Sequence, residues 1–276
     1  MIIDAHHHFW KYDPVTYAWI DDRMQAIARD FNPHDLEPVL EKNQVDGAIT
    51  VQVEETLVET KILIEIAEGM EQIKAVVGWV DLKDPKVEND LISFKTAHKL
   101  KGFRAIMQGS PDEQYLKNKG FISGVKKLKD HDFTYDILIY HDQIPSTLRF
   151  LEQCPDQPFI LDHIAKPDIR NGEIRKWKEN MKQLSSFPDL YCKLSGIITE
   201  AKWDGWRYED LSPYLDVAGE YFGTDRLCYG SDWPVCLLAG QYEEVLGVVQ
   251  RFLQQVTPVE QEKVLSGNAM KFYKLA

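Results

Sequence analysis

The chain has no long apolar run, no paired cysteine motif and no excess of positive charge, and each lack removes a class of function. Nowhere in its 276 residues is there an apolar stretch long enough to span a bilayer. Its 32 lysines and arginines are outnumbered by 44 aspartates and glutamates, for a net charge of −12. Such a surface repels a phosphate backbone, so no nucleic-acid partner is expected. The four cysteines, Cys154, Cys192, Cys228 and Cys236, form no C-x-x-C pair. Cys192 and Cys228 fall in apolar runs and read as buried free thiols, which suits a reducing cytoplasm. The first residues also lack the basic, apolar and small-residue regions of a secretory leader, which points the same way. Three chemical signatures are missing as well: G-x-S-x-G, H-E-x-x-H and a glycine-rich phosphate loop.

What is present is ordinary for a soluble globule, with 44% hydrophobic and 28% charged residues. The length suits one large α/β domain, and residues 1–276 are read as a single domain. Helix-period stretches alternate with short apolar runs along the chain. Helices are expected over 34–43, 57–70, 87–100, 121–129, 145–153, 174–185 and 211–222. Strands are expected over 47–53, 75–80, 102–107, 133–139, 158–163, 190–195 and 226–230. Two closing helices over 242–255 and 258–265 complete the pattern, and residues 11–33 read as a long aromatic loop. With a first strand around 2–8, eight beats argue for a (β/α)8 TIM barrel. An open doubly wound sheet is the runner-up, although no G-x-G-x-x-G follows the first strand.

Barrel enzymes place their chemistry at the C-terminal mouths of the strands. The first strand carries Asp4-Ala-His6-His7-His8. Strict alternation sends Asp4, His6 and His8 to one face, so the two imidazoles share a small volume and Asp4 stands behind them to orient one. Alone, a triple histidine is also what a tag remnant or a solvated strand would show. His163 ends the sixth strand and Asp232 the eighth, which adjoins the first once a barrel closes. His6, His8, His163 and Asp232 together make a donor set for zinc or a similar divalent ion, with room for water or substrate. Asp232 is the candidate general base. Taken singly, His163 is also an ordinary hydrogen-bonded strand-end residue and Asp232 a helix cap.

A charge inside a barrel strand is costly unless it is paired or faces the site. Arg104 and Lys193 are therefore candidate substrate contacts, the first through its bidentate guanidinium, and Gln52 on the second strand joins them. Strand alternation allows Arg104 and Lys193 to face helix carboxylates instead. Trp10 and Trp233 flank the histidines and Asp232; their rings suit either a sugar face or the core.

Four segments taken together, Asp4-Ala-His6-His7-His8-Phe-Trp10, Leu161-Asp-His163-Ile-Ala-Lys166-Pro167, Cys192-Lys193-Leu-Ser195-Gly196 and Tyr229-Gly-Ser-Asp232-Trp233-Pro234, resemble the amidohydrolase superfamily. Within it they resemble the sugar-lactonase branch, the L-fuconolactone and L-rhamnonolactone hydrolases. The closing Ser266-Gly267-Asn268-Ala269 fits the same group, so the likeness spans nearly the whole chain. The resemblance implies a distorted barrel that hydrolyses a lactone ester. It carries His6, His8, His163 and Asp232 over as the metal or catalytic set and Arg104 as a substrate contact. No strand-4 lysine or glutamate stands ready to bridge two ions, and His141 is the one strand-5 histidine. The resemblance thus implies one divalent ion, zinc by its donors, or none. The partner is a small-molecule sugar lactone, and a homodimer is one option for assembly. Decarboxylation of an aromatic or unsaturated acid on the same barrel is the alternative chemistry, and a catalytically inert binding barrel a third reading.

Overall fold

Strands and helices alternate through the computed structural model, which describes residues 1–275. After β1 (Ile3–His7) come α1 (Pro33–Lys42), β2 (Gly47–Val51), α2 (Leu57–Gly69), β3 (Ile73–Gly78) and α3 (Val87–Ser93). They are followed by β4 (Leu100–Ile106), α4 (Lys119–Asp130), β5 (Thr134–Leu138), α5 (Ile144–Gln153) and β6 (Phe159–Leu161). The chain continues through α6 (Arg175–Leu184), β7 (Leu190–Lys193), α7 (Tyr208–Phe222), β8 (Leu227–Cys228) and α8 (Tyr242–Leu253). It closes with α9 (Pro258–Glu262) and α10 (Asn268–Phe272). The eight strands lie in sequence order and every ladder is parallel. The fold is thus the expected single-domain (β/α)8 barrel.

Local chemistry sets the helix starts. Asn32 accepts from His34 N at 3.0 Å while the Asp35 carboxylate accepts from Asn32 N at 3.0 Å, and Pro33 takes the first position, where no donor is needed. Thr56 and Asn118 cap α2 and α4 in the same way. Ile3, Ala5, Ile49, Val51, Ala75 and Val77 fill the barrel interior, and Phe272 and Tyr273 from the C-terminal segment pack against them. A second layer, including Leu36, Phe150, Trp177 and Val249, fills the space between strands and helices.

Some boundaries differ from expectation. The helix expected over 87–100 ends at Ser93 and passes into a 3-10 turn, Phe94–Thr96. The helix expected over 258–265 breaks into α9, a π turn over Lys263–Gly267, and α10. β8 has two residues, and its ladder is with β7 alone. The residues just beyond β8 close the barrel onto β1. Ala5 N donates to Tyr229 O at 2.9 Å, Asp232 N to His6 O at 2.8 Å and His8 N to Trp233 O at 2.7 Å. The approach is tight at Gly230, where a Cβ would meet the Cβ atoms of His6 and Ser195 at 3.0 Å. Among the described residues no helix is long and apolar enough to cross a membrane.

Candidate active site

β1 does not alternate strictly. Its ladder with β2 shifts register between Asp4 and His7, a bulge that re-aims side chains. Ile3 and Ala5 face the interior, yet His6, one residue on, reaches the interior side chains Lys193 and Asp162. Asp4 therefore does not share a face with His6 and His8, contrary to the sequence expectation. It still supports the site, through backbone. Asp4 Oδ1 accepts from His6 N at 3.1 Å and from Ser231 N at 2.8 Å, and Oδ2 accepts from the Tyr242 hydroxyl of α8 at 2.9 Å. One buried carboxylate thus fixes the first strand to the segment that carries Asp232.

His6, His8 and Asp232 converge. His8 Nδ1 lies 2.7 Å from Val51 O, a bond that places the proton on Nδ1 and leaves Nε2 as a bare acceptor. That Nε2 is 3.1 Å from His6 Nε2 and 3.4 Å from Asp232 Oδ1, and His6 Nε2 is 3.8 Å from the same oxygen. One ligand atom from each of the three residues lies within 4.8 Å of the others. The ring of His163 stands 4.4 Å from that of His6, with its Nδ1 tied to Ser195 Oγ at 2.9 Å. Arg104 Nη1 also approaches, 3.3 Å from His6 Nε2; two imidazole nitrogens and a carboxylate oxygen converging on one point are a donor set that fits a divalent metal ion. A second grouping, His6, Asp162 and His163, is close enough in distance, but the Asp162 oxygens are already paired with Lys193 at 3.0 Å and Arg104 at 3.0 Å.

Burial lowers the pKa of His163 to about 4 and pushes those of His6 and His8 down as well, so the three imidazoles are neutral at neutral pH and their lone pairs are available. Burial alone would raise Asp232. The charge of the nearby histidines as Asp232 titrates, His163 foremost, outweighs it and holds the carboxylate below its usual range. Asp232 is therefore an anion at neutral pH.

These groups border a cavity of about 190 Å³. His8, His163, Asp232, Arg104, Gln108 and Lys166 form its polar side; Trp10, Trp19, Val53, Ile106, Leu138 and Val235 form its apolar side. Larger hollows of about 380 and 450 Å³ lie elsewhere and border none of the histidines or Asp232. Arg104 is positioned as expected, 4% exposed, with Nη1 on Asp162 at 3.0 Å and Nη2 on the carbonyl oxygen of Gln52.

Three expected substrate contacts do not border the cavity. Lys193 is sealed beneath the histidines, with Nζ 2.5 Å from Asp136 Oδ2, 3.0 Å from Asp162 Oδ1 and 3.3 Å from His6 Nδ1. Burial opposes its charge, but the two carboxylates more than restore it. Gln52 is spent on Arg104, donating to its carbonyl at 3.1 Å. Trp233 packs against Phe9 and Phe31 in the core. His141 lies in a 3-10 turn after β5 and borders no part of the cavity.

The supporting network was not anticipated. Asp136 and Asp162 are fully buried, and Tyr273 donates to Asp136 Oδ2 at 2.7 Å. An acidic residue in the middle of the apolar run Phe133-Thr-Tyr-Asp-Ile-Leu-Ile was the available signal. By the rule already applied to Arg104 and Lys193, it had to have a buried cation as partner.

An eight-stranded parallel barrel thus brings imidazoles and a carboxylate from the mouths of its first, sixth and eighth strands into an arrangement that could hold a metal ion. A family model described as amidohydrolase matches residues 3–275, and the chain belongs to that family. An L-fucono-1,5-lactonase of Burkholderia multivorans is 36% identical over 284 residues, 99% of this chain and 96% of that protein. One from Burkholderia ambifaria is 34% identical over 281 residues, 99% and 95% of the respective chains. The crystal structure of an amidohydrolase from Burkholderia multivorans with bound zinc superposes with a TM-score of 0.96, at 34% identity and over 100% of both chains.

Proposed function

We propose that this protein is a lactonase that opens the ester of a sugar lactone, with one divalent ion, zinc by its donor set, held by His6, His8 and Asp232 and flanked by His163. The observation that carries the reading is the placement of Asp232: it is the carboxylate that borders the cavity, and it lies within 4 Å of both His6 and His8. A lactone carbonyl is electrophilic enough to need no covalent nucleophile. Asp232, ionised, holds a water at the cavity floor and takes its proton as the oxygen attacks. The acid so formed returns that proton to the departing ring oxygen. Arg104 donates to a substrate oxygen from the cavity wall. A bound zinc ion would polarise the carbonyl and lower the pKa of the attacking water.

The cavity's size and lining support a small substrate. Drug-sized ligands occupy about 300–1,000 Å³, whereas about 190 Å³ suits a single sugar-sized ring. Its aromatic and aliphatic walls suit the carbon face of such a ring. The full-length likeness to two L-fucono-1,5-lactonases supports the same chemistry. The test is a panel of aldonolactones followed by acid release, with and without a chelator, beside an assay for carbon dioxide release from aromatic acids. Lactone opening is expected; carbon dioxide release without lactone opening would replace the proposal with the decarboxylase.

A further inference from the structure

The turn after β6 has an unusual backbone. His163, Ile164, Ala165 and Lys166 have φ of 54°, 46°, 60° and 46°, four consecutive non-glycine residues in the left-handed region. That region is disfavoured for any residue with a Cβ, and most of all for a β-branched one such as Ile164. Such conformations persist only where the surroundings over-determine them, and they gather at functional sites. Here the surroundings do so. Ile164 and Ala165 are fully buried, Trp177 Nε1 donates to Ile164 O at 2.9 Å, and Lys166 N donates to His163 O at 2.8 Å. Gly196 leaves room as well, since a Cβ there would come within 2.7 Å of His163 Nδ1.

The two ends of the turn explain what this conformation achieves. His163 opens it and Lys166 closes it, and both side chains border the reaction cavity. The ammonium of Lys166 has three donors, and its nearest carboxylate, Glu200 Oε1, is 3.5 Å away. Gln108 borders the same cavity with its Oε1 buried and without a hydrogen-bond partner. Asp232, His8 and Arg104 already surround the reacting end. Lys166 brings donors and Gln108 an unpaired carbonyl oxygen to the same cavity. That combination suits a hydroxyl, which both accepts and donates, better than a carbonyl, which only accepts.

We propose that Lys166 is a specificity-determining residue that donates a hydrogen bond to a ring hydroxyl of the sugar lactone, and that the left-handed turn exists to present it beside His163. The proposal rests on the lactonase reading. Lys166→Met keeps length and removes the charge. It should lower kcat/KM for L-fucono-1,5-lactone about ten- to a hundredfold, the range for a lost hydrogen bond to a charged group. For δ-valerolactone, which has the ring ester but no hydroxyls, kcat/KM should stay within about twofold of the parent. Equal losses on both lactones, or none on either, would overturn the proposal. Lys166→Gly should lose the same discrimination while melting about 2–4 °C higher, because glycine adopts this φ freely; a lower melting temperature would overturn the strain argument. Binding separates this proposal from the lactonase reading. Neutral L-fucose, titrated against tryptophan fluorescence, should bind Lys166→Met about tenfold or more weakly than the parent. A parent that opens neither lactone but binds L-fucose through Lys166 would sink only the lactonase reading. A parent that binds no L-fucose, or a variant that binds it equally well, would sink this one.

Discussion

Replacing Arg104 with methionine removes several contacts at once, and the structure separates their effects. The guanidinium is 4% exposed, lies 3.0 Å from Asp162 Oδ2, and bonds the carbonyl and the side-chain oxygen of Gln52. Removing one partner of a buried ion pair typically costs about 3–5 kcal/mol. Lys193 still neutralises Asp162 from 3.0 Å, so the lower end applies, about 3 kcal/mol. In a chain of this size that lowers Tm by roughly 6–12 °C, which differential scanning calorimetry reads directly. Catalysis should respond separately. If the guanidinium binds a substrate oxygen, its loss costs about 1.5–3 kcal/mol, and kcat/KM should fall about ten- to a hundredfold, chiefly through KM. Kinetics are measured well below the variant's melting point, so that both proteins are folded. A variant with a lower Tm but parental kcat/KM would refute the substrate role and leave Arg104 as a strut between strands.

Other consequences follow from the same geometry. Lys193→Met leaves Asp136 without its cation, while Arg104 still pairs with Asp162 at 3.0 Å, and should cost about 3–5 kcal/mol in urea unfolding; pairing it with Asp136→Asn should recover at least half of that, and no recovery would contradict the charge-balance account. Gly230→Ala places a methyl against His6 and Ser195 at the closure of the barrel. It should destabilise by about 1–3 kcal/mol, and an unchanged Tm would show that the closure is looser than described. Reconstitution with zinc followed by elemental analysis should find one ion per chain, lost on His8→Ala; two tightly held ions per chain, both needed for turnover, would contradict the single-ion site.

Hydrophobic rhythm made the barrel legible, because each helix buries one stripe and each strand reads as a short apolar run. Boundaries were less legible. The two-residue β8 was expected over 226–230, since residues 229–233 look like strand but serve to close the ring through isolated backbone bonds. At the site, residue type at strand mouths was enough to single out His6, His8, His163, Asp232 and Arg104, and all five gather around one cavity or directly beneath it. Alternation misplaced Asp4, because a bulge leaves no mark in residue type. Lys193 and Gln52 were read as substrate contacts because a polar residue in a strand has two possible reasons, and the sequence does not show which charge lies beneath it. Lys166 stood out only as part of the segment that resembles the family, with no role of its own. Nothing in His-Ile-Ala-Lys announces a left-handed turn, a conformation that residue preference argues against and that surrounding structure imposes.

The proposed role of Asp232 is to take a proton from the water that opens a lactone. Its most direct test is turnover by Asp232→Asn, which keeps the side-chain shape and removes the base. A positioned general base contributes about 10²–10⁴-fold, so kcat on any lactone the parent opens should fall by that factor while the circular dichroism spectrum is retained. Bound metal is measured on both proteins, so that lost affinity is counted apart from lost chemistry. A folded, metal-replete Asp232→Asn protein with near-parental kcat would contradict the account.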